Sequence, residues 1–215
     1  MIESRCGIVC SKCSWQKEKK CSGCTRIEDP FWGSCPVKKC CEEKGQEHCG
    51  TCDQFPCAQL HAFAYDKEQG DGGARLDQCR IWAASAFMKY SWMDEYLQDK
   101  AGVTKDIQQE WGWIRYMVGG KMFAALCLGE DDKPYYITLK LEPMEGDFLR
   151  QQYEDIIPGY YMNKTHWNSI KPNGEVPDEL LKDLLDKSYR LVLTGFSKKR
   201  QREILEEAEK QEGAE

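Results

Sequence analysis

The chain has 215 residues, 41% of them hydrophobic and 31% charged, with a formal net charge of −6. That is an ordinary globular composition with room for one sizeable domain or two small ones, and it excludes a disordered chain. No apolar run approaches the roughly 20 residues that span a bilayer, and the start MIESRCGIVC lacks the basic and apolar regions of a signal peptide, so a cytoplasmic protein with no membrane partner is expected.

Eleven of the thirteen cysteines lie between Cys6 and Cys57. Residues 1 to 57 carry no sustained helical or strand period and cannot build an apolar core alone, so a staple is expected there. In DQFPCAQLHAFAYD, Pro56 suits the first turn of a helix whose apolar stripe is Leu60, Phe63 and Ala64. This helix closes a first module, 1–66. The glycine-rich, charged stretch that follows reads as a linker over 67–79.

From Cys79 to about Lys100, Ile81, Met88, Trp92 and Tyr96 recur at helical spacing, which predicts one long amphipathic helix. WGWIRYMV and KMFAALCL flank Gly119-Gly120 and predict a hairpin, with YYITLKL as a third antiparallel strand. Residues 144 to 156 read as a helix with Phe148, Leu149, Tyr153 and Ile156 on one side. WNSIKPNGEV reads as a strand and an Asn-Gly turn. Leu180, Leu181, Leu184, Leu185 and Leu191 mark a last helix, begun at Pro177 and Asp178. The expected second domain, 80–202, is α+β, with helices on one face of an antiparallel sheet and an acidic tail, 203–215, behind it.

The thiols are Cys6, Cys10, Cys13, Cys21, Cys24, Cys35, Cys40, Cys41, Cys49, Cys52 and Cys57. Reducing conditions in the cytoplasm disfavour structural disulfides, so they read first as metal ligands and second as redox groups. A CxxC turn sets two sulfurs on one side of a tight loop, and two such turns close a tetrahedral thiolate shell around zinc. Cys10, Cys13, Cys21 and Cys24 could do so alone, and Cys35, Cys40, Cys49 and Cys52 could make a second shell, giving two zinc ions. Cross-braced pairings stay open. His61, four residues after Cys57 on the predicted helix, is a further candidate, with His48 behind it. An iron-sulfur cluster is the main rival, although the CxxCxxCxxxCP run is absent. A thioredoxin-like role lacks its βαβ context, and a buried free thiol is the plain alternative.

The order CG, CxxC, CxGC, CP, CC, HCGxC and FPC, from Cys6-Gly7 to Phe55–Cys57, resembles a bacterial and archaeal cysteine-rich family of unknown function. The resemblance covers about residues 4 to 65 and implies a zinc-binding module without an activity. VGGKMFAAL, YITLKLEP, PGYYMNKTHWNSI and DKSYRLVL together resemble the MmcQ/YjbR family over about residues 80 to 202. That resemblance implies a CyaY-like, double-wing α+β fold and DNA as a partner. Lys121, Lys140, Lys164, His166 and Asn168 could then contact phosphates around the aromatic Trp167, with Lys198, Lys199, Arg200 and Arg202 as a further basic cluster. The plain reading packs Tyr160, Tyr161 and Trp167 in the core and makes SKKRQR the end of a helix. Near-neutral charge over 81–202 argues against tight nonspecific binding. With no Walker loop, GxSxG elbow or HExxH, the chain reads as a binding or regulatory protein rather than an enzyme. A protein partner for the cysteine-rich module, or a metal-responsive role without nucleic acid, is the alternative.

Overall fold

The computed structural model describes residues 2–28, 33–108 and 110–214, with side chains as far as Ala208. Two compact units divide it, one ending at Ala83 and the other spanning Ala84–Ala214.

The first unit is built from short elements: α1 (Ser14–Lys17), α2 (Pro36–Glu43), α3 (Ala58–Ala64) and α4 (Ala74–Ser85), with single 3₁₀ turns at Cys10–Lys12 and Cys49–Thr51. Pro36 opens α2, where its missing N–H costs nothing, and the Cys35 sulfur accepts from the Lys38 N–H as a cap. One apolar cluster of this unit consists of Cys6, Val37, Leu60, Ala64 and Leu76, with Ile8, Phe55 and Phe63 packed against it, and Ile81 is buried as well. The expected stripe of α3 is there, since Leu60 and Ala64 are buried and Phe63 half-buried. The stretch read as a linker is different. Gly72 and Gly73, both at positive φ, lead straight into α4, and Arg75 and Leu76 are buried. The helix expected from Cys79 to Lys100 is two helices: α4 ends at Ser85, and α5 begins at Met93 and runs to Gln98.

The second unit holds a six-stranded antiparallel sheet in the order β1-β2-β3-β4-β6-β5. The strands are β1 (Val103–Gln108), β2 (Trp113–Val118), β3 (Lys121–Leu128), β4 (Pro134–Lys140), β5 (Ile156–Pro158) and β6 (Trp167–Ile170). The predicted hairpin is β2–β3, and Gly119 and Gly120 supply the two positive φ values, 56° and 77°, that its tight turn requires. Ile114, Leu126, Ile137 and Ile170 stand in register across four strands, each no more than 1% exposed. The long helix α7 (Asp178–Thr194) lies along β2, β3 and β4 and buries Leu181, Leu184 and Leu185. Asp178 and Glu179 sit in its first turn, where the helix dipole favours acids. By strand alternation Trp113, Ala125 and Cys127 face the other way, where they pack with Met122, Tyr135, Tyr136 and Met162.

α6 (Pro143–Gln152) buries Leu149 but leaves Phe148 58% exposed, so the expected apolar side is narrower than the sequence suggests. The acidic end is helical: α8 runs Lys198–Ala214 and buries Ile204 and Ala208. The side chains of residues 209–215 of the expected tail lie outside the described residues, as do residues 29–32 of the first module. Lys198, Lys199 and Arg200 open α8 rather than ending a helix, and the dipole they face there is offset by the Lys199–Glu203, Arg200–Glu203 and Arg200–Glu207 ion pairs.

Candidate metal centre and nucleic-acid surface

All thirteen cysteines are free thiols. Among the described residues of the first unit, six sulfurs are approached by main-chain N–H groups. Ile8 points at Cys6, Cys24 at Cys10, Arg5 at Cys24 and Gly50 at Cys79. Gly23 N–H reaches Cys21 Sγ at 3.3 Å, and Lys38 N–H reaches Cys35 Sγ at 3.5 Å. A tight turn that aims amides at sulfur favours the thiolate, the form that binds zinc. In this respect the donor set fits a thiophilic ion.

The turn carrying Cys10 and the turn carrying Cys24 meet where the Cys24 amide is aimed at the Cys10 sulfur. Cys24 also feels Cys35, and Cys10 feels Cys6. Cys40, Cys41, Cys49, Cys52 and Cys57 line one small cavity of about 30 Å³, floored by Leu60 and Phe55. Lys44 Nζ stands 3.7 Å from Cys52 Sγ at its edge. Among the described residues, no three His, Cys, Asp or Glu side chains form a group that could hold a metal ion. The thiols are nonetheless neighbours.

Burial dominates the ionisation of these groups. It raises the Cys10 thiol to about 11 and that of Cys79 to about 12, and pushes up Cys6, Cys24, Cys41 and Cys49 as well. His61 is exposed, and its ring centre lies 4.6 Å from that of Tyr65. His48 is buried, and its Nδ1 accepts from the Gly50 N–H at 3.1 Å, which leaves that nitrogen engaged. Cys79, absent from the expected ligand set, is fully buried.

In the second unit, the register places Lys121 at the start of β3, Lys140 at the end of β4 and the 164–167 segment at the start of β6, all at one end of the sheet. Lys121 and Lys164 are exposed and Lys140 is half-buried. Lys121 Nζ lies 4.4 Å from the Phe196 ring centre. Trp167 and Asn168 do not join that surface. Trp167 is 8% exposed, and Asn168 is fully buried, bonded by Arg150 and to the His166 carbonyl. His166 is half-buried with its Nδ1 enclosed and unpartnered.

Aromatic surface is found elsewhere. Trp111, Trp113, Tyr161, Tyr160, Tyr136 and Tyr135 follow one another with ring centres 4.5 to 6.0 Å apart. The Trp113 Nε1–H donates to the Tyr135 hydroxyl at 3.2 Å and closes the circuit. Trp111, Tyr160 and Tyr161 are each more than half exposed, against the expectation that Tyr160 and Tyr161 are core. An open cleft of about 750 Å³ lies beside Tyr135, Tyr153, Asp155 and Lys171, whose two charges are paired with each other at 3.0 Å.

The fold is thus that of an α+β domain with one helix-covered and one aromatic face, behind a small thiol-rich module. Residues 98–191 match the YjbR family and residues 2–62 match the family described as "Protein of unknown function (DUF3795)". Over 89 residues the chain is 37% identical to "Uncharacterized protein YbdF" of Escherichia coli O157:H7, a match covering 41% of this chain and 71% of that protein. It is 29% identical over 103 residues to "Uncharacterized protein YjbR" of Escherichia coli K12, covering 48% and 86%. The crystal structure of a Deinococcus radiodurans protein of domain family DUF419 aligns at 30% identity and a TM-score of 0.50, over 55% of this chain and 88% of that one. The chain belongs to the YjbR family and carries a DUF3795 module ahead of that domain. Among the described residues no helix is long and apolar enough to cross a membrane.

Proposed function

We propose that this is a cytoplasmic, non-catalytic binding protein, with a first module held by two thiolate-bound zinc ions and a YjbR domain that binds nucleic acid. For the module, the supporting observation is the set of main-chain amides aimed at cysteine sulfurs, with five further thiol-bearing residues around one small cavity. Four of Cys10, Cys13, Cys21, Cys24 and Cys35 would hold one ion. A core with so few large apolar side chains gains little from burial alone, and a zinc ion supplies folding free energy directly.

For the domain, the carrying observation is that Lys121, Lys140 and Lys164, distant in sequence, share one end of the sheet. Lysines so placed meet phosphates, and the exposed Trp111, Tyr160 and Tyr161 rings suit stacking of unpaired bases. Many of the domain's other cations are engaged by carboxylates, as in Lys105–Asp94, Arg115–Asp106 and Lys187–Glu145. Few phosphates are then neutralised, so binding is modest and falls with salt.

The test is fluorescence anisotropy with single-stranded and duplex oligonucleotides at low salt, alongside metal and acid-labile sulfide counts on protein purified anaerobically. Binding that weakens in Lys121→Glu and Lys164→Glu, with a shallower salt slope, is expected. No binding of either oligonucleotide at low salt overturns the nucleic-acid reading, and iron with sulfide overturns the zinc reading.

A further inference from the structure

Two Cys-Gly pairs, Cys6-Gly7 and Cys49-Gly50, press against the backbone of α4. A Cβ on Gly7, whose φ is +95°, would lie 1.9 Å from the Arg75 carbonyl oxygen, and a Cβ on Gly50 would lie 2.3 Å from that of Cys79. Arg75 and Cys79 are one helical turn apart, so both pairs dock on one stripe of α4. No residue other than glycine fits either place without moving that helix. The Cys49 N–H donates to the Arg5 carbonyl at 2.7 Å, which ties the two Cys-Gly segments together beside α4.

Between them the thiols gather. Cys6 is 5%, Cys41 4% and Cys79 0% exposed. The Cys41 and Cys49 thiols are hydrogen-bonded to each other, and the Gly50 amide is aimed at the Cys79 sulfur. A cation is buried with them. The Arg75 side chain is 2% exposed, with its Nε on Asp71 at 2.9 Å and one terminal nitrogen on the Gln69 carbonyl at 2.7 Å. Its other terminal nitrogen, Nη1, is buried without a hydrogen-bond partner. Its charge acts on Cys6 and Cys79. A guanidinium N–H left over in such a place is expensive unless negative charge arrives to meet it.

We propose that Cys79 is the fourth ligand of a zinc site formed with Cys6, Cys41 and Cys49, and that Arg75 offsets the charge of that site. This rests on the zinc reading above and extends the module beyond residues 2–62 of the family match to include α4. Loading exchanges one Zn²⁺ for four thiol protons, which pass to solvent, and leaves a tetrathiolate of net charge −2. Arg75 and the amides of Ile8 and Gly50 meet part of that charge. Cys40, Cys52 and Cys57 then remain on the cavity with Lys44, outside this shell.

The test compares the full chain with Cys79→Ser, Cys79→His and, as a control in the sheet, Cys127→Ser, counting zinc by mass spectrometry and recording the sulfur-to-metal band after cobalt(II) substitution. Cys79→Ser is expected to bind about one zinc fewer per chain, Cys79→His to keep the ion with a weaker band, and Cys127→Ser to match the parent. Arg75→Gln should surrender one ion to a chelator faster. Retention of every ion with the parent's band in both Cys79 variants, or equal loss from both, overturns the assignment of Cys79. A parent chain without zinc overturns the zinc reading itself.

Discussion

Tyr116 donates its hydroxyl to Asp94 Oδ1 at 2.9 Å in the interior of the YjbR domain. The same carboxylate takes Lys105 Nζ at 3.1 and 3.2 Å and Gln98 Nε2 at 2.9 Å, so one side chain on α5 ties down β1, β2 and the end of its own helix. Asp94→Ala breaks the Lys105 ion pair and takes the partner from the buried Tyr116 phenol, and should cost about 3–5 kcal/mol. Tyr116→Phe leaves the ion pair intact and should cost about 1–2 kcal/mol. Urea unfolding of the domain's transition measures both, and equal losses would mean that Lys105 draws nothing from the pair.

Ser188 makes a second buried bridge. It is fully buried on α7, donates to the Phe123 carbonyl at 2.6 Å and accepts from the Lys140 N–H at 2.8 Å. The β2–β3 register shifts between Tyr116 and Met117, so Phe123 has no facing residue on β2, and the helix hydroxyl meets its carbonyl instead. Ser188→Ala should lose about 1–3 kcal/mol, with faster amide exchange at Lys140. Unchanged exchange there would show that water replaces the hydroxyl.

How far the sequence could be read depended on where burial is one-sided. The hairpin was legible because Gly119-Gly120 separates two apolar runs, and α7 because its leucines keep helical spacing over several turns. β1 was not, since VTKDIQ is half-polar and only partly covered. The start of α4, before Cys79, was hidden for another reason. Arg75 and Gln78 are buried on it alongside Leu76 and Ile81, so no polar face marks the helix, and the glycines that start it look like a linker. The aromatic face was misplaced because Trp167, Tyr160 and Tyr161 are alike in sequence and only the fold separates the buried ring from the exposed ones.

Asp155 gives the domain an acid limit. Its carboxylate accepts from the Glu175 N–H at 2.7 Å and from Lys171 Nζ at 3.0 Å, and these hold its pKa below the ordinary 3.8. A lowered carboxylate stabilises the fold fully above its unfolded value, and this is lost as the pH falls through the lower folded value. The Glu175 amide shift should therefore titrate with a midpoint below 3.8, and Asp155→Asn should remove that titration. A midpoint at or above 3.8 would show that the turn at 171–175 is held by other contacts.

Chelation should separate the two units. Among its described residues the first unit buries Val37, Leu60, Leu76 and Ile81 as large aliphatic side chains, whereas the second buries Ile114, Leu126, Ile137, Leu139 and Ile170 in one sheet face alone. Each large apolar side chain buried contributes roughly 1.5–3 kcal/mol, so burial supports the second unit far more than the first. A strong chelator under reducing conditions should then abolish amide protection in α2, α3 and α4 while leaving that of β2, β3 and α7 intact. Zinc added back should restore it. Protection of α2 and α3 that survives complete removal of the metal would mean that the module folds on its apolar core, and that its cysteines serve some purpose other than holding it together.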